Sequence, residues 1–170
     1  MAQSNLVCDR LVLLYLGRID HLFLLPRLFA EIAIPVNVAF ELDVGRSVRA
    51  DTVDARQLEW ATLVTVTTAQ AAALPANRLG AGESAVLAWA LSHRGWWAGL
   101  DDAQARRFAN QLGVIVVGTV GLLIQAKRLG LIPQVSPRLT AVMDAGLRLS
   151  PELRSEVLRL AGEALRAAYV

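Results

Sequence analysis

Five short, mainly apolar runs, each followed by residues at helical spacing, constrain this chain more than any other feature. They are Leu6 to Cys8, Glu31 to Ile34, Leu63 to Thr67, Trp97 to Leu100 and Val114 to Val117. Short apolar runs of this kind read as strands, and Leu63 to Thr67 reads as one through its alternation of Val and Thr. The helices are expected at Leu11 to Leu16, at His21 to Phe29 with Asp20 as cap, and at Val36 to Val44 with Pro35 at the entry. Further helices are expected at Glu83 to His93 with Gly95 ending it, at Ala103 to Leu112 before Gly113, and at Val120 to Leu129 before Gly130. Ser150-Pro151 starts a last one, Pro151 to Ala168, while Gly45 to Asp54 reads as a loop or a helix end. Strand and helix alternate, so the expected fold class is α/β, a three-layer α/β/α sandwich around a parallel sheet. One domain spans residues 1–170, with a C-terminal helical extension from about residue 133.

The composition closes off other routes. Fifty-five per cent hydrophobic residues in a chain of 170 fill a core, which excludes disorder. The mean hydropathy of +0.44 raises the question of a membrane span. The longest charge-free stretch, Phe108 to Ala126, carries Asn110, Gln111 and Gln125 and is divided by Gly113 and Gly118, so it reads as strand then helix. Asp9 and Arg10 break the apolar opening, and no small-residue cleavage site follows, so no signal peptide is expected and the cytoplasm is the expected compartment. One cysteine, Cys8, and two histidines, His21 and His93, leave no disulfide and no thiolate or imidazole metal cluster. A formal charge of +2 decides nothing about nucleic acid.

What the chain does supply is carboxylates in the right places. In a parallel sheet the residues just past the strand ends gather along one rim, where ligands bind near the reversal of strand order. Asp9 follows the first run, and Asp101 and Asp102 follow the fourth. Glu41 and Glu83 sit at or near helix starts, which are expected to face the same crevice. Each acid also has an ordinary structural reading: Asp9 and Asp102 as helix caps, Glu83 as a first-turn acid favoured by the helix dipole, Glu41 as a solvated helix residue. Together they repel one another and call for a cation. Hard oxygen donors without Cys or His suit Mg²⁺ or Mn²⁺, and such an ion beside phosphate activates water for phosphodiester hydrolysis.

The ordered set "LVCDRLVLLYLGRIDHLFLLPRLFAEIAIPVNVAFEL", "GAGESAVLAWAL" and "LDDAQARRFANQLGVIVVGTVGLLIQAKRLGLI", with the tail "GLRLSPELRSEVLRLAGE", resembles the PIN-domain superfamily. It is most similar to the prokaryotic branch with a Gly-Glu helix start, a double Asp after a strand and a Gly-Thr-x-Gly turn. The resemblance implies a five-stranded parallel sheet in the order 3-2-1-4-5 and an acidic metal site in an RNA-cleaving nuclease. Carried over by position, the catalytic acids are Asp9, Glu41, Glu83, Asp101 and Asp102, of which Asp9, Glu83, Asp101 and Asp102 are the metal ligands. Several relatives are toxins neutralised by a small antitoxin protein. One departure stands out: relatives follow the first Asp with a small hydroxyl residue, whereas here Arg10-Leu11-Val12 follows. Arg10 either points away or sets a cation beside Asp9 that competes with the metal, so a PIN-like domain that has lost catalysis and serves as a binding or regulatory module is the rival reading.

Arg106, Arg107, Lys127 and Arg128 follow the acidic rim in sequence and are candidates for RNA phosphate contacts, against the plain reading of a solvated helix face. Gly118 to Gly121 lacks both a dinucleotide fingerprint and a phosphate-loop lysine and reads as a tight strand-to-helix turn. Cys8 reads as a small buried residue. The high apolar fraction suggests a covered hydrophobic face, hence a homodimer or a hydrophobic antitoxin segment.

Overall fold

The computed structural model describes residues 4–163. Its elements are β1 (Asn5–Cys8), α1 (Arg10–Arg18), α2 (Leu25–Leu28, entered by a 3₁₀ turn at Leu22–Leu24), β2 (Ile32–Pro35) and α3 (Val36–Val48). They continue with β3 (Thr62–Val64), α4 (Thr68–Ala73), α5 (Ala81–Ser92), β4 (Trp96–Gly99) and α6 (Ala103–Gln111). The chain then forms β5 (Val116–Val117), α7 (Thr119–Arg128), α8 (Ser136–Asp144) and α9 (Pro151–Leu160).

All five strands are parallel and lie in the order 3-2-1-4-5, as expected. The registers Val7 with Ala33, Cys8 with Gly99 and Gly99 with Val117 bring the C-terminal ends of the strands to one rim. Strand order reverses between β1 and β4. The crossovers on either side run in opposite directions, so right-handed connections set α1 and α3 on one face of the sheet and α5 and α6 on the other. The sheet is buried because its central strands are apolar apart from Asn5 at the start of β1: Leu6, Val7 and Cys8 are wholly inaccessible, and so are Ile34 and Ala98. Leu13 and Leu16 of α1, Leu42 of α3, Leu87 of α5 and Leu122 and Leu123 of α7 close the core from both sides. The segment from residue 133 adds α8 and α9, which bury Leu139, Val142 and Val157.

Several expected boundaries move, each for a local reason. Asp20 does not cap a helix: it adopts φ 57, the left-handed conformation that Asp tolerates, and turns the chain between α1 and the next 3₁₀ turn. Pro35 ends β2 from inside, paired with Val64, instead of stopping it at Ile34. Gly45 does not end α3, which runs on to Val48. β3 is only three residues, because Thr67 leaves the sheet to cap α4 through a capping box with Gln70. β5 keeps only Val116 and Val117. The last helix closes at Leu160 with Gly162 at φ 70 behind it, so residues 161–163 leave the expected helix, and 164–168 of it lie outside the described residues. Among the described residues, no helix is long and apolar enough to cross a membrane.

Candidate functional site

Asp9 stands where β1 opens into α1, and its position follows from pairing: its N–H donates to the Gly99 carbonyl, which continues the β1–β4 ladder by one residue. The carboxylate is therefore delivered to the reversal point of the sheet. It is only 2% exposed, its Oδ1 has no hydrogen-bond partner, and it makes no capping bond to α1. Burial, reinforced by the neighbouring Glu83 and Glu41 charges and opposed by the first amides of α1, raises its pKa to about 7. A buried carboxylate with one oxygen left without a partner, beside two other acids, is costly unless a cation answers it.

Glu41 comes from the middle of α3 and is committed on both sides. Its Oε1 accepts from the Gly82 N–H at 2.8 Å, and its Oε2 lies 3.6 Å from Arg10 Nε. The absence of a side chain at Gly82 allows this approach, since a Cβ there would stand 2.7 Å from Glu41 Oε2. Glu83, in the first turn of α5, accepts from the Gly80 N–H through Oε2 at 3.1 Å. Its carboxyl is held above the ordinary range by burial and by the Asp102 and Glu41 charges. Asp9, Arg10, Glu41, Gly80 and Glu83 line one open crevice of about 490 Å³, whose other wall is the apolar side of α3, including Phe40 and Val44.

The two adjacent aspartates have different tasks. Asp102 caps α6, its Oδ1 accepting from the Ala105 N–H at 2.9 Å. Asp101 turns toward α7, where its Oδ1 accepts from the Thr119 N–H at 2.9 Å and its Oδ2 from the Thr119 hydroxyl at 2.6 Å. Arg106 braces the same junction through its bond to the Leu100 carbonyl at 2.8 Å, and its charge partly offsets the burial that raises Asp101. Gly118 is needed there, because a Cβ would lie 2.6 Å from Arg106 Nη1 and 2.7 Å from Asp101 Oδ1.

Of the acids named from sequence, Asp9, Glu41 and Glu83 share the crevice, Asp102 is outside its lining but within the field of Glu83, and Asp101 is tied to Thr119. As the side chains stand, no three Asp, Glu, His or Cys groups among the described residues converge closely enough to hold one ion. The donor set is nonetheless all hard oxygen, and the buried Asp9 oxygen lacks any partner, so Mg²⁺ or Mn²⁺ fits its chemistry.

The cations divide as well. Arg10 faces the crevice, where it pairs with Glu41. Arg106 serves the Asp101 junction, while Arg107 lies in a groove against the turn before Gly80. Lys127 is ion-paired with Glu163 at 2.6 Å at the far end of α7, away from the acidic rim, and Arg128 lies beside it in that last turn. Cys8 is fully buried and its thiol is pushed well above its usual range, as suits a packing residue. Thr119 and Gly82 belong to the Gly-Thr-x-Gly turn and the Gly-Glu helix start, but the sequence gives neither a role in the site. The signal for Thr119 was its place just past β5 on the same rim, whereas nothing local pairs Gly82 with Glu41.

A family model described as a PIN domain matches residues 5–163. No curated protein matches the sequence closely enough to add a named relative.

Proposed function

This chain belongs to the PIN-domain family, whose members are generally nucleases, and on that premise we propose that it is a metal-dependent ribonuclease that hydrolyses RNA phosphodiester bonds. The observation that carries this reading is the buried, partnerless Oδ1 of Asp9 facing Glu41 and Glu83 at the strand-order reversal. Asp9, Glu83 and Asp102 would hold Mg²⁺ or Mn²⁺, and Glu41 would complete the acidic shell. When bound, the ion supplies activation of a water and stabilises the negative charge that develops on the phosphate.

The chain's own residues do the rest. Gly82 N–H and Arg10 hold Glu41 in a fixed orientation toward the crevice, and the Gly80 N–H does the same for Glu83. Asp101 keeps the start of α7 against β4 through Thr119 and so preserves the rim on which Asp102 stands. Among the described residues lining the crevice, Arg10 supplies the guanidinium that meets an incoming phosphate.

One observation favours a second reading, a domain that has lost catalysis and acts as a binding or regulatory module. Arg10 already answers Glu41, so part of the negative charge that would recruit an ion is neutralised from within. The deciding experiment is cleavage of a fluorescent single-stranded oligoribonucleotide with Mn²⁺. The nuclease reading expects cleavage that is lost in Asp102→Asn and in chelator. Absence of cleavage by the wild type supports the module, and cleavage that survives both changes points to another source.

The roles of toxin and homodimer belong to the same proposal. Val36, Phe40, Val44 and Val48 recur every fourth residue along α3 and are 41%, 68%, 53% and 81% exposed, an apolar stripe beside the crevice that suits a covered face. Light scattering on the purified chain separates a homodimer from a monomer that pairs with a small antitoxin.

A further inference from the structure

A second concavity, of about 240 Å³, lies between the 76–79 turn and one face of α6. Arg78 stands on one wall, and Gln104, Arg107, Phe108 and Gln111 on the other. The four α6 residues are spaced i, i+3, i+4 and i+7, so they form one helical face, while Ala105 and Ala109 pack the opposite face into the core. Neither Arg78 nor Arg107 has a carboxylate partner among the described residues, so two like charges border one groove with nothing to neutralise them.

The Arg78 wall is built in advance. Asn77 Oδ1 accepts from the Leu79 N–H at 3.0 Å and from the Ser84 hydroxyl at 3.2 Å, and its Nδ2 donates to the Pro75 carbonyl at 3.0 Å. The turn is thereby tied to α5, the helix that carries Glu83. The groove also adjoins the acidic crevice on both walls: Gly80, which lines the crevice, follows Leu79, and Asp102 caps the helix that presents Arg107. Five residues of helix separate Asp102 from Arg107, about 7–8 Å along the axis.

Two unpaired guanidinium groups, a half-buried aromatic ring and two side-chain amides are the elements of a single-strand subsite: cations for the phosphates, a ring for stacking, amides for base edges. We propose that this groove is a nucleotide subsite for single-stranded RNA, adjoining the position of the scissile phosphate. Arg78 and Arg107 bind its phosphates, Phe108 stacks on the base, and Gln104 and Gln111 contact the base edge. The assignment rests on the nuclease reading for the position of the scissile phosphate only; binding in the groove needs no cleavage.

The test is fluorescence anisotropy of a labelled single-stranded oligoribonucleotide with the full chain in chelator, over a range of salt concentrations. Arg78→Gln and Arg107→Gln are each expected to weaken binding about three- to tenfold and to lower the salt slope by about 0.7. Phe108→Leu is expected to weaken binding about tenfold with the slope unchanged. Arg94→Gln, the same charge loss on an exposed turn at the opposite rim, should leave both unchanged. No binding by the wild type, or equal losses in Arg94→Gln and the groove variants, overturns the subsite. If the chain binds with these losses but never cleaves with Mn²⁺, the subsite stands and the nuclease reading falls. If it cleaves but the groove variants bind and cleave as the wild type does, the reverse holds.

Discussion

Arg10 Nε lies 3.6 Å from Glu41 Oε2, so the residue that follows the most buried acid supplies a cation to one of that acid's neighbours. Both side chains are partly exposed, which makes the pair worth little to the fold but well placed to tune the charge of the crevice.

Replacing Arg10 with Thr should therefore change ion binding more than stability. Arg10→Thr is expected to lower the Mn²⁺ concentration for half-maximal cleavage several-fold and to shift unfolding free energy by no more than about 0.5 kcal/mol. Metal titrations of the cleavage rate check this. An unchanged metal dependence and rate would show that Arg10 does not compete.

Stability of the metal-free chain should fall as pH rises from about 4 to 7. Asp9 sits near 7 in the fold against an ordinary 3.8, so in that window the folded chain keeps a proton that the unfolded chain has released. The loss amounts to at most about 1.4 kcal/mol per pH unit, and Glu83 and Asp101, shifted the same way, add to it. Asp9→Asn should flatten the profile and exceed the wild type in stability at pH 8 in chelator. Urea midpoints at pH 5 and pH 8 read both effects, and a wild type more stable at pH 8 would contradict them.

Thr119→Val should cost about 1–3 kcal/mol, because it leaves Asp101 Oδ2 buried without the hydroxyl that satisfies it. Thr119→Ser should restore most of the loss. Equal midpoints for the Val and Ser variants would mean that the hydroxyl contributes nothing.

Gly82→Ala separates placement from stability. The added Cβ would meet the end of a flexible side chain, Glu41, so the carboxylate can move aside with an unfolding change below about 1 kcal/mol. It would then lose its bond to the Gly82 N–H, and cleavage is expected to drop about tenfold while the melting temperature moves by about 4 °C at most. Full activity in this variant would remove Glu41 from the account.

The sheet was legible because short apolar runs alternate with helical segments, and a parallel sheet then sends Asp9, Asp101 and Asp102 to one rim. What escaped was decided by contacts distant in sequence or by competing local chemistry. The capping box of Thr67 and Gln70 was present in the sequence, but the alternation of Val and Thr up to Thr67 masked it and made β3 too long. The stretch from Gly45 to Asp54 was open between a loop and a helix end, and α3 takes its first four residues as its last turn, with Thr52 close by where a Gly45 Cβ would stand. In the site, the capping of α6 by Asp102 was legible from its place before Ala103, whereas the tie of Asp101 to Thr119 depends on where β5 delivers the start of α7. The pairing of Arg10 and Gly82 with Glu41 depends on how α1, α3 and α5 meet, which no spacing encodes.

The account turns on whether the buried Asp9 carboxylate and its neighbours hold a divalent ion. Anomalous diffraction from crystals soaked in millimolar Mn²⁺ tests this most directly. The account predicts a manganese peak in contact with Asp9 and with Glu83 or Asp102, absent in crystals of Asp9→Asn. A map with no peak beside Asp9 would contradict it.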